Sequence, residues 1–561
     1  MTPKKDWNGS WFLAIGLAAP AIALCLIILI PFYDKAFTID DTLFMLQAEH
    51  ALHDPLHPTA FEVVWSEIPQ RLSSIMPSGP VMAYLLLPAA ALHGAEWLAH
   101  LAQWAMLALG LVATAALALR LGLSASAARW CALLTAASPA VLGMAGTVMP
   151  DIPAMALGVL GIERYVAFLP PQRRCFRLWL GGGAALCLGL AALSRPHLIL
   201  LVIVAGLLAL AQDRAGKPPG WRFWPWWSLW PLGLAGSLSA LVLRLTQDPL
   251  KGTGVVSSIG FFASPLGSPK NLLAFLTHWT LALPLVLPWA VWRWRRLPMR
   301  LIRNASIVAA LLMVVTAFWG TWGTRYVKTL YLSPFLGVAV ACFVDLLRDR
   351  FDRRDRIGLA LAAWLFLALP VLLYVQLPSK YLVPSAPAAA LLLLRELYSP
   401  VAGISSGRQR YLRMRLLLCT VGIGALLGLL IVRTDAAFAQ LGRRAAAELI
   451  QPRVRRGEKV WFVGRWGFQW YAERAGAVAV TRTPPLPLPG DIIVASMRAA
   501  DACLIDMIPN RRFLQRLSDE SWGGRLMADE VGAGFFSNGW GLLPWMVSGH
   551  ALDRYDVFRV E

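Results

Sequence analysis

About thirteen apolar blocks recur along this chain of 561 residues, and that recurrence constrains its fold more than any other feature. A helix needs about 20 apolar residues to cross the hydrocarbon of a bilayer. A backbone surrounded by lipid must satisfy its own polar groups, so helices are the natural use of such blocks. They run roughly over 11–31, 97–119, 128–145, 152–169, 178–194, 197–211, 228–245, 272–292, 304–320, 330–347, 357–376, 383–397 and 415–432. The stretch 79–93 is apolar but short and Pro-bounded, and reads as re-entrant or interfacial. Charged residues make up only 15% of the chain, against about 25% in a soluble domain. The expected class is mainly α, a polytopic transmembrane helix bundle.

The net charge of +20 does not point to nucleic acid, because the basic residues sit in short clusters between the blocks. That placement encodes topology. Assigning loops alternately puts Lys4, Lys5, Arg120, Arg129, Arg173, Arg174 and Arg177 on one side, with the clusters over 293–303, 348–356 and 395–415. The other side's loops hold only Lys35, Arg71, Arg195, Arg244, Lys251, Lys270, Arg325, Lys328 and Lys380. The first side is therefore expected to be cytoplasmic, with the N-terminus on it, in a bacterial-type cytoplasmic membrane. Met1–Ile30 has no persuasive cleavage site after its apolar core and reads as an uncleaved anchor. The tryptophans 221, 224, 226, 227 and 230 read as an aromatic belt where a cytoplasmic loop re-enters the membrane. Five of the seven cysteines lie inside apolar blocks, so no disulfide framework or CxxC metal site is visible.

Residues 434–561 differ in kind. An amphipathic stretch, Ala436 to Ile450, precedes strand-like runs at Val460–Gly464, Val478–Thr481 and Asp491–Ala495. With an odd number of spans before it, this segment reads as a small extracytoplasmic α/β domain. The expected division is a membrane domain over 1–433, carrying a long outer loop over 32–96, and a C-terminal domain over 434–561.

Candidate chemistry gathers on the outer side. Asp40 and Asp41 fall just after the first span emerges, ahead of a helical pattern through Leu43, Phe44, Leu46, Gln47 and His50. A carboxylate pair at the membrane surface can take a proton from a hydroxyl or hold a divalent ion; the alternative is helix capping. Asp151 stands in the tight outer turn Thr147-Val148-Met149-Pro150-Asp151-Ile152-Pro153, and a carboxylate at the edge of hydrocarbon is costly enough to suggest a role. Arg195, Arg325, Lys328 and Lys380 with its neighbour Tyr381 sit at outer span mouths, placed to meet a phosphate or simply to snorkel. His50, His53 and His57 share one helical face only if the helix persists past Pro55. No Walker loop, GxSxG, HExxH or GxGxxG stands in a strand–helix setting, which turns the reading away from nucleotide chemistry.

In order and sidedness these residues resemble the GT-C class of membrane glycosyltransferases, nearest to the protein O-mannosyltransferases and the lipid A aminoarabinose transferases. The resemblance rests on Thr38-Ile39-Asp40-Asp41 at the end of the first span, Met76-Pro77-Ser78-Gly79-Pro80 and Leu92-His93-Gly94-Ala95-Glu96 in the outer loop, Pro150-Asp151, Ser194-Arg195-Pro196, and Lys380-Tyr381-Leu382-Val383-Pro384. It covers residues 10–200 by motif and the remainder by topology. The second acidic position is Asp41 where the family has Glu, and the entry motif lacks its Lys and one Pro. The resemblance implies a polyprenyl-phosphate-linked sugar donor and a lipid, glycan or protein acceptor. Asp40, with Asp41 or Asp151, would activate the acceptor or bind a divalent cation; Arg195, Arg325, Lys328, Lys380 and Tyr381 would hold the donor phosphate. The rival readings are a lipid or oligosaccharide transporter, which predicts repeated halves and charged broken spans around a midplane site, and a polysaccharide polymerase or ligase.

Overall fold

A computed structural model of the chain describes residues 7–76, 79–170, 174–213, 228–246, 248, 268–319, 326–374, 376–398, 407–499, 502–508 and 510–561. Every predicted block carries helix over its described residues. By length and composition, seven of the described helices can cross a membrane, nine if two bent pairs each count as one span. The bent pairs are Ala125–Ala136 with Pro139–Ala145, turning by 60°, and Pro269–Leu281 with Val286–Arg296, turning by 68°. The blocks at 152–169, 197–211, 228–245 and 383–397 form helices too short or too charged to pass that test, so up to nine of the thirteen predicted spans meet it among the described residues. Hydropathy counts apolar residues; it does not register where Pro139 interrupts a rod.

The helix Asp151–Phe168 is buried along almost its whole length and packs against Glu96–Arg120 and Arg174–Ser194. Its central position explains how a lipid-embedded bundle holds Glu163, which is fully buried and paired with Arg120. Small residues allow the close approach: a Cβ on Gly161 would lie 2.8 Å from Leu188. The interfacial reading of 79–93 corresponds to the short helix Val81–Ala91, which packs on Asp41–Ala51 in the outer loop. Two short strands in the same loop, β1 (Glu62–Val64) and β2 (Pro69–Arg71), pair antiparallel. Of the tryptophan run only Trp230 lies within the described residues, packed edge-on against Phe168.

One end of the bundle is clamped by charge. Arg293 meets Asp345 at 2.7 Å, Asp349 at 2.9 Å and Glu396 at 2.8 Å. Arg350 meets Glu396 at 2.8 Å and Asp355 at 2.9 Å. The ends of Val286–Arg293, Ser333–Asp352 and Ala386–Leu397 therefore converge, as the alternating loop assignment requires of residues on one side.

The last predicted span and the amphipathic stretch after it form one helix, Gly407–Ala445, which continues through a π turn (Ala446–Ile450) into Gln451–Arg455. Beyond it the three expected strands form as β3 (Val460–Val463), β4 (Val478–Ala479) and β5 (Ile492–Ser496), with β3 parallel to both neighbours. Strand β6 (Arg511–Ser518) precedes two small pairs, β7 (Gly524–Arg525) with β10 (Met546–Val547) and β8 (Met527–Ala528) with β9 (Ala533–Gly534). Strand β11 (Arg554–Val560) returns between β5 and β6, giving the order β4-β3-β5-β11-β6. The sequence reading missed β6 because it is an edge strand rich in arginine and largely exposed, with no apolar run to mark it.

Candidate active site

The site begins with a backbone oddity. Ile39 has φ of 43°, a left-handed conformation uncommon for any L residue and rarest for a β-branched one. Such strain persists only where the surroundings over-determine it. Here the helix Trp466–Arg474 supplies the restraint: Tyr471 Oη accepts the Phe37 N–H at 2.8 Å. A Cβ on Gly467 would collide with the Phe37 carbonyl oxygen, so the two backbones touch only because that residue is glycine.

The turn at Ile39 sends the two adjacent carboxylates in different directions. Asp41 is fully buried; its Oδ1 accepts the Val148 N–H at 2.7 Å and its Oδ2 the Thr38 N–H at 3.1 Å. Lys35 lies 4.0 Å from Asp41 and 2.7 Å from Asp435 on the long C-terminal helix. Burial pushes the Asp41 carboxyl up to about 7, against the opposing pull of Lys35. Asp40 faces out. It holds the N-terminal position of the helix Asp41–Ala51 but makes no capping bond, and its Oδ2 instead accepts Lys380 Nζ at 2.7 Å. The Asp40 side chain keeps 31% of its exposure and Lys380 only 5%. The sequence reading grouped Asp40 with Asp41; only Asp40 reaches solvent.

Asp151 also passes over capping. It pairs bidentately with Arg195, Nε to Oδ1 at 3.0 Å and Nη2 to Oδ2 at 2.7 Å. Arg195 follows the helix Arg174–Ser194, where Pro196 ends the helix and turns the chain. The Arg195 guanidinium lies 5.0 Å from the ring centre of Tyr381, and Lys380 Nζ lies 6.0 Å from that ring. Both ion pairs thus border the same ring and form one cluster around Tyr381. Tyr374 completes the aromatic wall, its ring 6.2 Å from that of Tyr381. Sequence reasoning missed Tyr374 because it ends an apolar block with no charged neighbour to mark it.

Asp40, Asp151, Arg195, Lys380 and Tyr381 thus come together, from four places in the chain. Lys328 does not join them: its Nζ points to the C-terminal domain, 3.5 Å from the Glu530 carbonyl oxygen. Arg325, Pro77 and Ser78 lie outside the described residues. The three histidines do not share a face, since the helix stops at Ala51 and His57 turns back to Asp54 at 3.1 Å. Among the described residues no group of three His, Cys, Asp or Glu side chains is arranged to hold a metal ion.

These features define a polytopic helical membrane protein with charged side chains gathered at one mouth of the bundle. The structure of apo ArnT, a lipid A aminoarabinose transferase, from Cupriavidus metallidurans has the same fold. It matches over 97% of this chain and 98% of its own at 13% identity, with a TM-score of 0.51. ArnT bound to undecaprenyl phosphate matches over 97% of both chains at 14% identity, TM-score 0.47. The archaeal oligosaccharyltransferase AglB from Archaeoglobus fulgidus, in complex with an inhibitory peptide and a dolichol-phosphate, matches over 91% of this chain and 73% of its own at 11% identity, TM-score 0.45. No protein-family model and no curated protein matches the sequence.

Proposed function

We propose that the chain is a membrane glycosyltransferase that moves a sugar from a polyprenyl-phosphate donor to a lipid, glycan or protein acceptor on the outer face of the cytoplasmic membrane. The observation that carries this reading is the convergence of the Asp40–Lys380 and Asp151–Arg195 pairs around Tyr381. The shared fold with ArnT, which has been captured with undecaprenyl phosphate, supports the donor class.

Each side chain has a part in a single displacement. Asp40, the accessible carboxylate, takes the proton of the acceptor hydroxyl as its oxygen attacks the anomeric carbon. The bond from that carbon to the phosphate oxygen breaks, and the electron pair leaves with the lipid phosphate. Attack opposite the leaving group inverts the anomeric configuration. Lys380 has three N–H donors, so it can hold Asp40 and a phosphate oxygen together. Asp151 occupies Nε and Nη2 of Arg195, which leaves Nη1 for the leaving phosphate. Both cations offset the charge that develops as the phosphate departs.

A divalent ion at this mouth would have to bind Asp40 in competition with the Lys380 ammonium. The expected outcome of chelation with EDTA is therefore retained transfer. The deciding experiment incubates the purified protein with polyprenyl-phosphate sugars and an acceptor-containing membrane extract, and measures lipid phosphate release. Release that disappears in Asp40→Asn is expected; equal release from that variant removes the proposed base.

A further inference from the structure

A cleft of about 520 Å³ opens in the C-terminal domain between the ends of β5 and β11 and the segment that carries β7–β10. One wall is pinned by a buried carboxylate: Asp553 accepts the backbone N–H of Arg498 at 2.9 Å, that of Arg554 at 2.7 Å and the Ser496 hydroxyl at 2.6 Å. From this wall Arg498 reaches across to the facing segment, donating to the Met527 carbonyl at 2.8 Å and to Glu530 Oε1 at 3.2 Å. The facing segment brings Trp540, half-buried, into the lining.

The lining chemistry selects a ligand class. An indole beside groups that both donate and accept suits a sugar ring, whose C–H face is apolar and whose hydroxyls pair with carboxylates and guanidinium. The charge narrows it further. Glu520, Asp529, Glu530 and Asp553 outnumber Arg498 and Arg554, so the cleft does not attract an anion.

Its position ties it to the mouth. The segment bearing Trp540 also grips the turn that carries Lys380 and Tyr381: Phe535 O accepts the Ser379 N–H at 3.1 Å, and Asn538 Oδ1 accepts the Leu377 N–H at 3.1 Å. Tyr326 Oη donates to the Asn538 carbonyl at 2.8 Å on the same side. We propose that this cleft binds an uncharged oligosaccharide, the glycan part of the acceptor, and holds it beside the mouth. The saccharide site stands on the cleft itself; its assignment to the acceptor rests on the glycosyltransferase reading.

The test uses the full-length protein in detergent without donor. Isothermal titration and saturation-transfer NMR are run with neutral chitotriose, its fully de-N-acetylated cationic counterpart and anionic trigalacturonate. Saturable binding of chitotriose is expected, weakened about tenfold in Trp540→Ala and in Arg554→Ala. Arg554 is exposed, so its variant keeps the test sound if the tryptophan variant fails to fold. No saturable binding of chitotriose, a preference for trigalacturonate or for the cationic trimer, or unchanged affinity in Arg554→Ala would overturn the proposal. Lipid phosphate release, measured on the same preparation, separates the two readings. Chitotriose binding without release keeps the saccharide site and overturns its assignment to the acceptor; release without chitotriose binding overturns the site.

Discussion

At the scale of single residues, adjacency in sequence turns out to say little about shared chemistry. Asp40 and Asp41 are neighbours, yet one is open to solvent and the other fully buried behind the Pro150–Asp151 turn. Two expectations follow from their separation. Asp40→Asn removes the proposed base and lowers transfer by about 10²–10⁴-fold with expression intact, read as lipid phosphate release. Asp41→Asn acts on stability instead. The folded Asp41 carboxyl, near 7, binds its proton more readily than the unfolded chain does, so its contribution to stability is present in acid and lost as pH rises through about 7. The melting temperature of the wild type is thus expected to fall more steeply than that of Asp41→Asn between about pH 4 and about pH 7; parallel curves would remove Asp41 from the titration. Lys380→Ala, in turn, is expected to weaken donor binding about tenfold and acceptor binding less, and equal losses would argue against a donor-phosphate contact.

At the scale of elements, the site is assembled by pieces that hold one another in place. The first span ends in a strained turn, and the C-terminal helix Trp466–Arg474 presses on it through Gly467 and Tyr471. Tyr471 passes the restraint on, donating to Glu96 at 2.8 Å at the start of the next long helix. Gly467→Ala forces its methyl group into the Phe37 carbonyl, and we expect a loss of about 1–3 kcal/mol with transfer reduced further than stability alone explains. A wild-type rate in a well-folded Gly467→Ala protein would show that the brace does not position Asp40. The motifs Pro150-Asp151 and Ser194-Arg195-Pro196 were legible as candidates because each places a charge at a span mouth. That they pair bidentately with each other was not legible, since 44 residues separate them.

At the scale of the whole molecule, the two ends of the bundle have different tasks. One end is locked by the network around Arg293, Arg350 and Glu396, and the other carries the Asp40 cluster. We take the locked end as cytoplasmic, which makes the C-terminal domain external. A membrane-impermeant maleimide applied to intact cells is then expected to label Ser521→Cys and to spare the native exposed Cys175; the reverse pattern would invert the orientation. The long helix Gly407–Ala445 joins the two regions without a break and brings Asp435 to Lys35. The C-terminal domain is therefore built into the mouth and is not an appendage to it.

From the sequence alone came the membrane class, the order of the helical blocks and the strands β3 to β5, because hydropathy and alternation are sums over neighbouring residues. Tertiary structure decided the rest: how many rods are long and straight enough to span, which acid of an adjacent pair faces outward, and that Lys380 meets Asp40 across 340 residues of chain. Those outcomes depend on side-chain direction and on contacts between distant segments, and no local pattern contains either.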